Sequence, residues 1–378
     1  MTFLIIILAI GLQVFLTYKK MSPFLSLLIV AILAGLCLGM EPKDILKSIT
    51  AGVGSTLGDL ALIICLGAVL GKILEVSGAA EQISSTLINS FGKKNTQWAV
   101  LLTGFLIGLP LYYNAGFVIL VPLIFSISRR ANLPLLYVAM PMAASLSTTH
   151  CFLPPHPSPV FLVNAFNANM GKTLIYGTII AVPVVILAGP VLGRLLKKIE
   201  VDISSFFLEA DTTKEKKLPA RLPSFMIGLL PVLLITLSVI ADTIFPYGNL
   251  FKKIFLFIGD PTIALLIAVL LAVWFFGIKR GESMTTTMKW LNEAISGIAI
   301  IILIITAGGV LKQVLQDSGT GDYISSFSSK WQMPPLIFAW VVTALLRVTI
   351  GAATVAGITA ASLVSPLVAA GHGAPELM

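Results

Sequence analysis

The chain has 378 residues, of which 57% are hydrophobic and 11% charged, with a formal net charge of +8 and a mean hydropathy of +0.98. A soluble domain carries about 25% charged residues, so a water-soluble enzyme is excluded. The basic residues sit between apolar runs rather than in one patch, which argues against nucleic acid as a partner, and Cys37, Cys65 and Cys151 lie in apolar segments with no CxxC spacing, so neither a disulfide framework nor a zinc site is indicated.

Crossing about 30 Å of hydrocarbon takes roughly 20 apolar residues. In chain order, the run at 2–18 comes first. No basic residue precedes it, unlike a signal peptide, and Lys19 and Lys20 follow it. This predicts a first span with its N-terminus outside. Apolar runs at 25–40, 60–69, 174–192, 225–241, 262–278 and 295–310 form or lie within further spans, with polar amphipathic stretches at 41–57 and 281–293. Asp59 and Asp242 border spans and read as interfacial. The longest polar stretch, 197–221, contains LEADTTKEKKLPAR and reads as a cytoplasmic linker. The predicted organisation is a first transmembrane repeat at 1–198, a linker at 199–222 and a second repeat at 223–378.

The repeat is visible in the residues. GAVLGKILEVSGAAEQISS at 67–85 aligns without gaps with GGVLKQVLQDSGTGDYISS at 308–326. Gly67, Val69, Leu70, Leu74, Ser77, Gly78, Ile83, Ser84 and Ser85 match Gly308, Val310, Leu311, Leu315, Ser318, Gly319, Ile324, Ser325 and Ser326. Apolar composition alone would not align Ser-Gly and Ile-Ser-Ser outside the apolar run. After each copy comes a pair of short apolar segments: 98–109 and 115–128 joined by GLPLYYNAG, then 335–346 and 352–370 joined near RVTIGAAT. Short segments around such turns predict re-entrant hairpins, which require burial in protein or a water-lined cavity. Lys93, Lys94, Arg129 and Arg130 place both ends of the first pair on the cytoplasmic side; Lys252 and Lys253 are the main violation of the positive-inside pattern. Five crossings and one hairpin per half make the second half enter inverted. The expected fold is an all-α polytopic membrane protein of two inverted repeats with hairpins and broken helices, as in secondary transporters. The second repeat lacks a counterpart of the first repeat's broken helix and last span, so the chain is expected to be C-terminally truncated.

Between the first hairpin and the span that follows it lies SLSTTHCFLPPHPSPVFL, with Pro154, Pro155, Pro157, Pro159, His150 and His156. Prolines so dense interrupt a helix and free backbone groups at membrane depth, which suits an anionic substrate or a coupling ion. Histidine changes charge in the physiological range, which makes His150 and His156 the proton-coupling candidates, with Thr148, Thr149, Pro155 and Ser158 beside them. The competing reading of each histidine is a neutral packing residue. Arg347, late in an apolar run, offers a bidentate fork for a carboxylate, or else snorkels to the interface. Thr349, Gly351 and Thr354 would add hydroxyls and close backbone approach, and Asn114 stands at the matching turn of the first half. Tyr112 and Tyr113 are as readily packing as a sugar-stacking face. No cofactor and no metal are expected.

GLPLYYNAGFVILVPLIFSISR, MPMAASLSTTHCFLPPHPSPV, MGKTLIYGTIIAVP and RVTIGAATVAGITAASLVSPLVAA resemble the gluconate permease (gluconate:proton symporter) family along essentially the whole chain, and the THxFLPPHPxP block at 149–159 is the most specific part. The resemblance implies an ion-transporter-superfamily fold and proton-coupled uptake of gluconate or a related acid across the bacterial inner membrane. Family members also carry other hydroxy acids and D-serine. Many relatives have an acidic residue where this chain has Asn114, and relatives continue past residue 378 with a further broken helix and span. The anion is expected between the two hairpin tips and the broken helix, in contact with membrane lipid outside, and the superfamily's frequent dimers extend a homodimer to this chain as an expectation. A sodium-coupled organic-acid or D-serine-type carrier, and an inactive truncated permease, are the alternatives.

Overall fold

The computed structural model describes residues 2–91, 95–199, 218–246, 248–319, 335–350 and 353–369. Among these residues no strand occurs. In hydrocarbon each backbone N–H and C=O needs a partner within its own segment, and a helix supplies it. In chain order the helices are α1 (Thr2–Tyr18), α2 (Pro23–Cys37), α3 (Pro42–Val76), α4 (Ala79–Phe91), α5 (Thr96–Gly108), α6 (Tyr113–Ala131), α7 (Leu135–Phe152) and α8 (Pro157–Ala165). Then follow α9 (Met170–Lys198), α10 (Arg221–Ile244), α11 (Leu250–Ile258), α12 (Pro261–Arg280), α13 (Met284–Asp317), α14 (Pro335–Ile350) and α15 (Ala353–Ala369). Five of them, α3, α9, α10, α12 and α13, are long and apolar enough to cross a membrane by length and composition. The chain is a multi-pass membrane protein.

Two elements differ from the sequence reading. The amphipathic stretches at 41–57 and 281–293 do not form separate pieces: they join the spans after them into single helices of 35 and 34 residues, α3 and α13. Both end the same way, and the repeated Ser-Gly explains how. Gly78 and Gly319 take φ of +80° and +74°, a left-handed turn that glycine adopts without the Cβ penalty. The preceding Ser77 and Ser318 hydroxyls donate to the carbonyls of Leu74 and Leu315, at 3.4 and 2.9 Å. The matched residues are thus a helix stop written twice.

The helices group into two compact units: Met1–Ile64, Pro157–Thr173 and Ile298–Met378 in one, Cys65–His156 and Leu174–Gly297 in the other. In the first unit α3 and α13 cross on glycine. A Cβ at Gly52 would fall 2.8 Å from the Gly309 carbonyl oxygen, and one at Gly309 would land on the Thr56 hydroxyl. The Ser48 hydroxyl ties the N-terminal part of α3 to Asp317 at the end of α13. α15 packs on α14 and α8, and its Ser362 hydroxyl donates to the Gly308 carbonyl at 2.8 Å.

In the second unit α5 packs most extensively on α7. Small residues at a spacing of four, Gly104 and Gly108 against Ser145 and Thr149, let the two backbones approach. The Ser145 hydroxyl donates to the Leu101 carbonyl at 2.8 Å. Gln97 on α5 donates to the Tyr137 carbonyl at 2.9 Å and accepts from Arg194 Nε of α9 at 3.4 Å, binding three helices with one side chain. α9 carries a π-helical turn over Leu187–Val191, around Pro190, a known cause of local helix distortion. Lys72 of α3 reaches Glu293 of α13 at 3.7 Å, and Arg280 Nη1 donates to the Ser77 carbonyl at 2.6 Å.

Candidate functional site

The proline-rich segment breaks one helix into α7 and α8, with residues 153–156 as the break. Pro157 and Pro159 do not lie in the break; they begin α8. A proline in the first turn loses no bond, because the N–H it lacks has no intrahelical partner there. The Pro154–Pro155 peptide is cis, and Pro155 is buried. The break also divides the segment between the units: α7 and the break belong to the second, α8 to the first.

In the second unit the break gathers three rings. His150, on the last turn of α7, and His156 lie 4.9 Å apart between centroids at an interplanar angle of 66°. Tyr112, from the turn between α5 and α6, approaches His150 at 6.1 Å edge-on and His156 at 5.7 Å. His156 is buried, and its Nε2 sits 2.7 Å from the Gly108 carbonyl oxygen. A carbonyl only accepts, so Nε2 carries the proton and the tautomer of the neutral ring is fixed. His150 Nδ1 is enclosed and has no hydrogen-bond partner. A buried polar atom left so is costly unless something fills the place.

The other predicted residues fall as follows. Thr148 is buried on α7. Thr149 is fully buried, wedged against Gly108, and its hydroxyl donates to the Ser145 carbonyl at 3.0 Å; in this arrangement it packs α5 onto α7. Asn114 lies on the first turn of α6 and Thr349 on the last turn of α14. In the first unit, Ser158 of α8 meets α15: a Cβ at Gly357 would stand 2.6 Å from its hydroxyl oxygen. Thr354 lies one turn earlier on α15, and Arg347 is exposed on the last turn of α14. Gly351 lies outside the described residues, as do most of the linker and residues 320–326 of the repeat.

Two features escaped the sequence reading. The Gly108 carbonyl is one; its only sequence signal is the GLP turn that frees it. The other is the partner of Asp59, which stands midway along the 35-residue α3, just before its apolar run, where its Oδ2 accepts from Asn164 Nδ2 at 2.7 Å. Asp242 is held by Lys252, whose Nζ lies 3.0 Å from Oδ1.

The whole chain, residues 1–378, matches the GntP family permease profile. The chain is 48% identical over 377 residues to the high-affinity gluconate transporter of Escherichia coli K12, covering 99% of this chain and 86% of that one. It is 42% identical to the Gnt-II system L-idonate transporter of the same organism (95% and 82% covered). Identity to the gluconate permease of Pseudomonas aeruginosa is 40% (95% and 80% covered). Among solved structures, the Alcanivorax borkumensis YdaH transporter, described as having an unusual topology, superposes with a TM-score of 0.61 at 16% identity, over 93% of this chain and 83% of that one. At that identity the likeness concerns the fold alone.

Proposed function

The chain belongs to the GntP family of permeases, and from that premise we propose that it carries gluconate or a related sugar acid across the bacterial inner membrane together with a proton. Relatives named for gluconate and L-idonate support the substrate class. The observation that carries the mechanism is the ring cluster at the broken helix, where His150 keeps an enclosed nitrogen without a partner. That atom can bind a substrate hydroxyl or take up a proton without breaking an existing bond. His156, already committed to Gly108, holds the neighbouring ring in place. Arg347 is the proposed partner of the substrate carboxylate, because a guanidinium matches it in two parallel bonds. Thr148, Ser158, Thr354, Asn114 and Thr349 are the proposed hydroxyl-binding groups, with Gly351 allowing close approach. Lys19 and Lys20 after the first helix, and Arg129 and Arg130 on the last turn of α6, support a periplasmic N-terminus and a cytoplasmic central linker.

The test is uptake of radiolabelled gluconate into proteoliposomes with an imposed gradient, alkaline inside. The purified protein is expected to accumulate gluconate, a protonophore to abolish the accumulation, and His150→Ala to lower it at least tenfold. Accumulation that ignores the pH gradient and His150→Ala alike overturns the mechanism, and accumulation that instead requires sodium replaces the coupling ion.

A further inference from the structure

We propose, on the reading that the chain carries a sugar acid, that Asp59, Asn164 and Lys312 form a subsite that reads the hydroxyls of the substrate.

The three residues come from α3, α8 and α13 and all stand in the first unit. Asn164, one residue from the end of α8, donates through Nδ2 to Asp59 Oδ2 at 2.7 Å. Lys312 lies within electrostatic range of the same carboxylate, yet the two charges do not touch. Among the described residues the Lys312 ammonium has no hydrogen bond and no ion pair at 4.0 Å or less. Asp59 is exposed, and Asn164 and Lys312 are half-buried. Opposite charges held near each other without closing leave donors on one side of a gap and lone pairs on the other. An ammonium only donates and a carboxylate only accepts, whereas a hydroxyl does both. A hydroxyl therefore bridges the pair where its members do not meet. A bare carboxylate does not, because it only accepts and Asp59 repels it.

The repeat sets Lys312 apart from the shared scaffold. In the gapless alignment it matches Gly71, where a Cβ would stand 3.0 Å from the Pro110 carbonyl oxygen. The first half thus crowds a side chain out of a position where the second half carries a charge. Other charges nearby are already engaged or absent. Asp317, further along α13, is held by Ser48 and by Gln313 Nε2 at 2.9 Å, and α8 and α15 carry no charged residue. Asp59 and Lys312 together have no net charge, so the subsite does not repel the acid it serves. It also lies on α8, half of the broken helix on which the proposed transport site is built.

Competition in proteoliposomes tests the subsite. Counterflow of radiolabelled gluconate, with no ion gradient, is measured against unlabelled gluconate and against the monodeoxygluconates, each lacking one hydroxyl. In wild type at least one deoxy acid is expected to compete about tenfold more weakly than gluconate, the size of one lost hydrogen bond to a charged group. In Asp59→Ala and in Lys312→Met the KM of gluconate should rise about tenfold with the maximal rate little changed. The same deoxy acid should then compete as well as gluconate. Asn164→Ala should narrow the difference in part. A variant that folds but does not exchange is read by the rise in Tm that each acid produces in detergent, with the same loss of discrimination expected; either variant alone suffices. Unchanged discrimination in a folded Asp59→Ala or Lys312→Met protein overturns the proposal, as does a wild type that treats every deoxy acid like gluconate; sugar-acid transport then stands. A wild type that neither exchanges nor binds gluconate overturns the parent reading instead.

Discussion

Gly108 answers two demands at once. Its carbonyl accepts from His156, and its missing Cβ leaves room for the Thr149 hydroxyl. Gly108→Ala is therefore expected to destabilise the protein by about 1–3 kcal/mol, the usual cost of overpacking a filled contact. A lowered Tm in detergent reads it. Adding Thr149→Ala should recover part of the loss, because the two residues touch and their effects do not add. A Gly108→Ala variant that melts like wild type would show that the backbones do not approach so closely. At this scale the site is half legible in the sequence. Proline and histidine announce themselves in an apolar run, so the THxFLPPHPxP block stands out. The partner of His156 does not: it is a backbone carbonyl 48 residues away, and every residue has one.

The continuity of α3 and α13 is the main lesson among the elements. Hydrophobic periodicity reports where composition changes, not where hydrogen bonding stops, so α3 and α13 each read as two pieces. The repeat itself is readable because it carries the Ser-Gly stop, which is chemistry rather than composition. The α3–α13 crossing is not, since Gly52 and Gly309 stand in opposite halves of the chain and nothing local marks them as partners. Gly309→Val puts a branched side chain where the Thr56 hydroxyl already lies. In membranes such helix contacts depend on small residues. The variant is expected to lower the Tm and the yield of monodisperse protein by size exclusion, more than Gly297→Val on the same helix, where a Cβ meets nothing within 4 Å. Equal behaviour of the two variants would argue against the crossing.

For the molecule as a whole the governing quantity is charge across the membrane. Importing a monoanion against an inside-negative potential costs about 2.3 kcal/mol per 100 mV. One proton carried with each anion makes the step electrically neutral and lets the pH difference drive it. The formal charge of +8, with basic residues clustered between spans, bears on orientation rather than on this coupling; coupling needs titratable groups within the spans, and His150 and His156 are the ones proposed for it. The measurement that tests proton-coupled sugar-acid transport most directly is the luminal pH of proteoliposomes. They hold a trapped pH-sensitive dye and have no imposed gradient when gluconate is added outside. The account predicts that the lumen acidifies as radiolabelled gluconate enters, one proton per anion, and that a sugar of the same size without a carboxylate has no effect. Gluconate entry at constant luminal pH would contradict it.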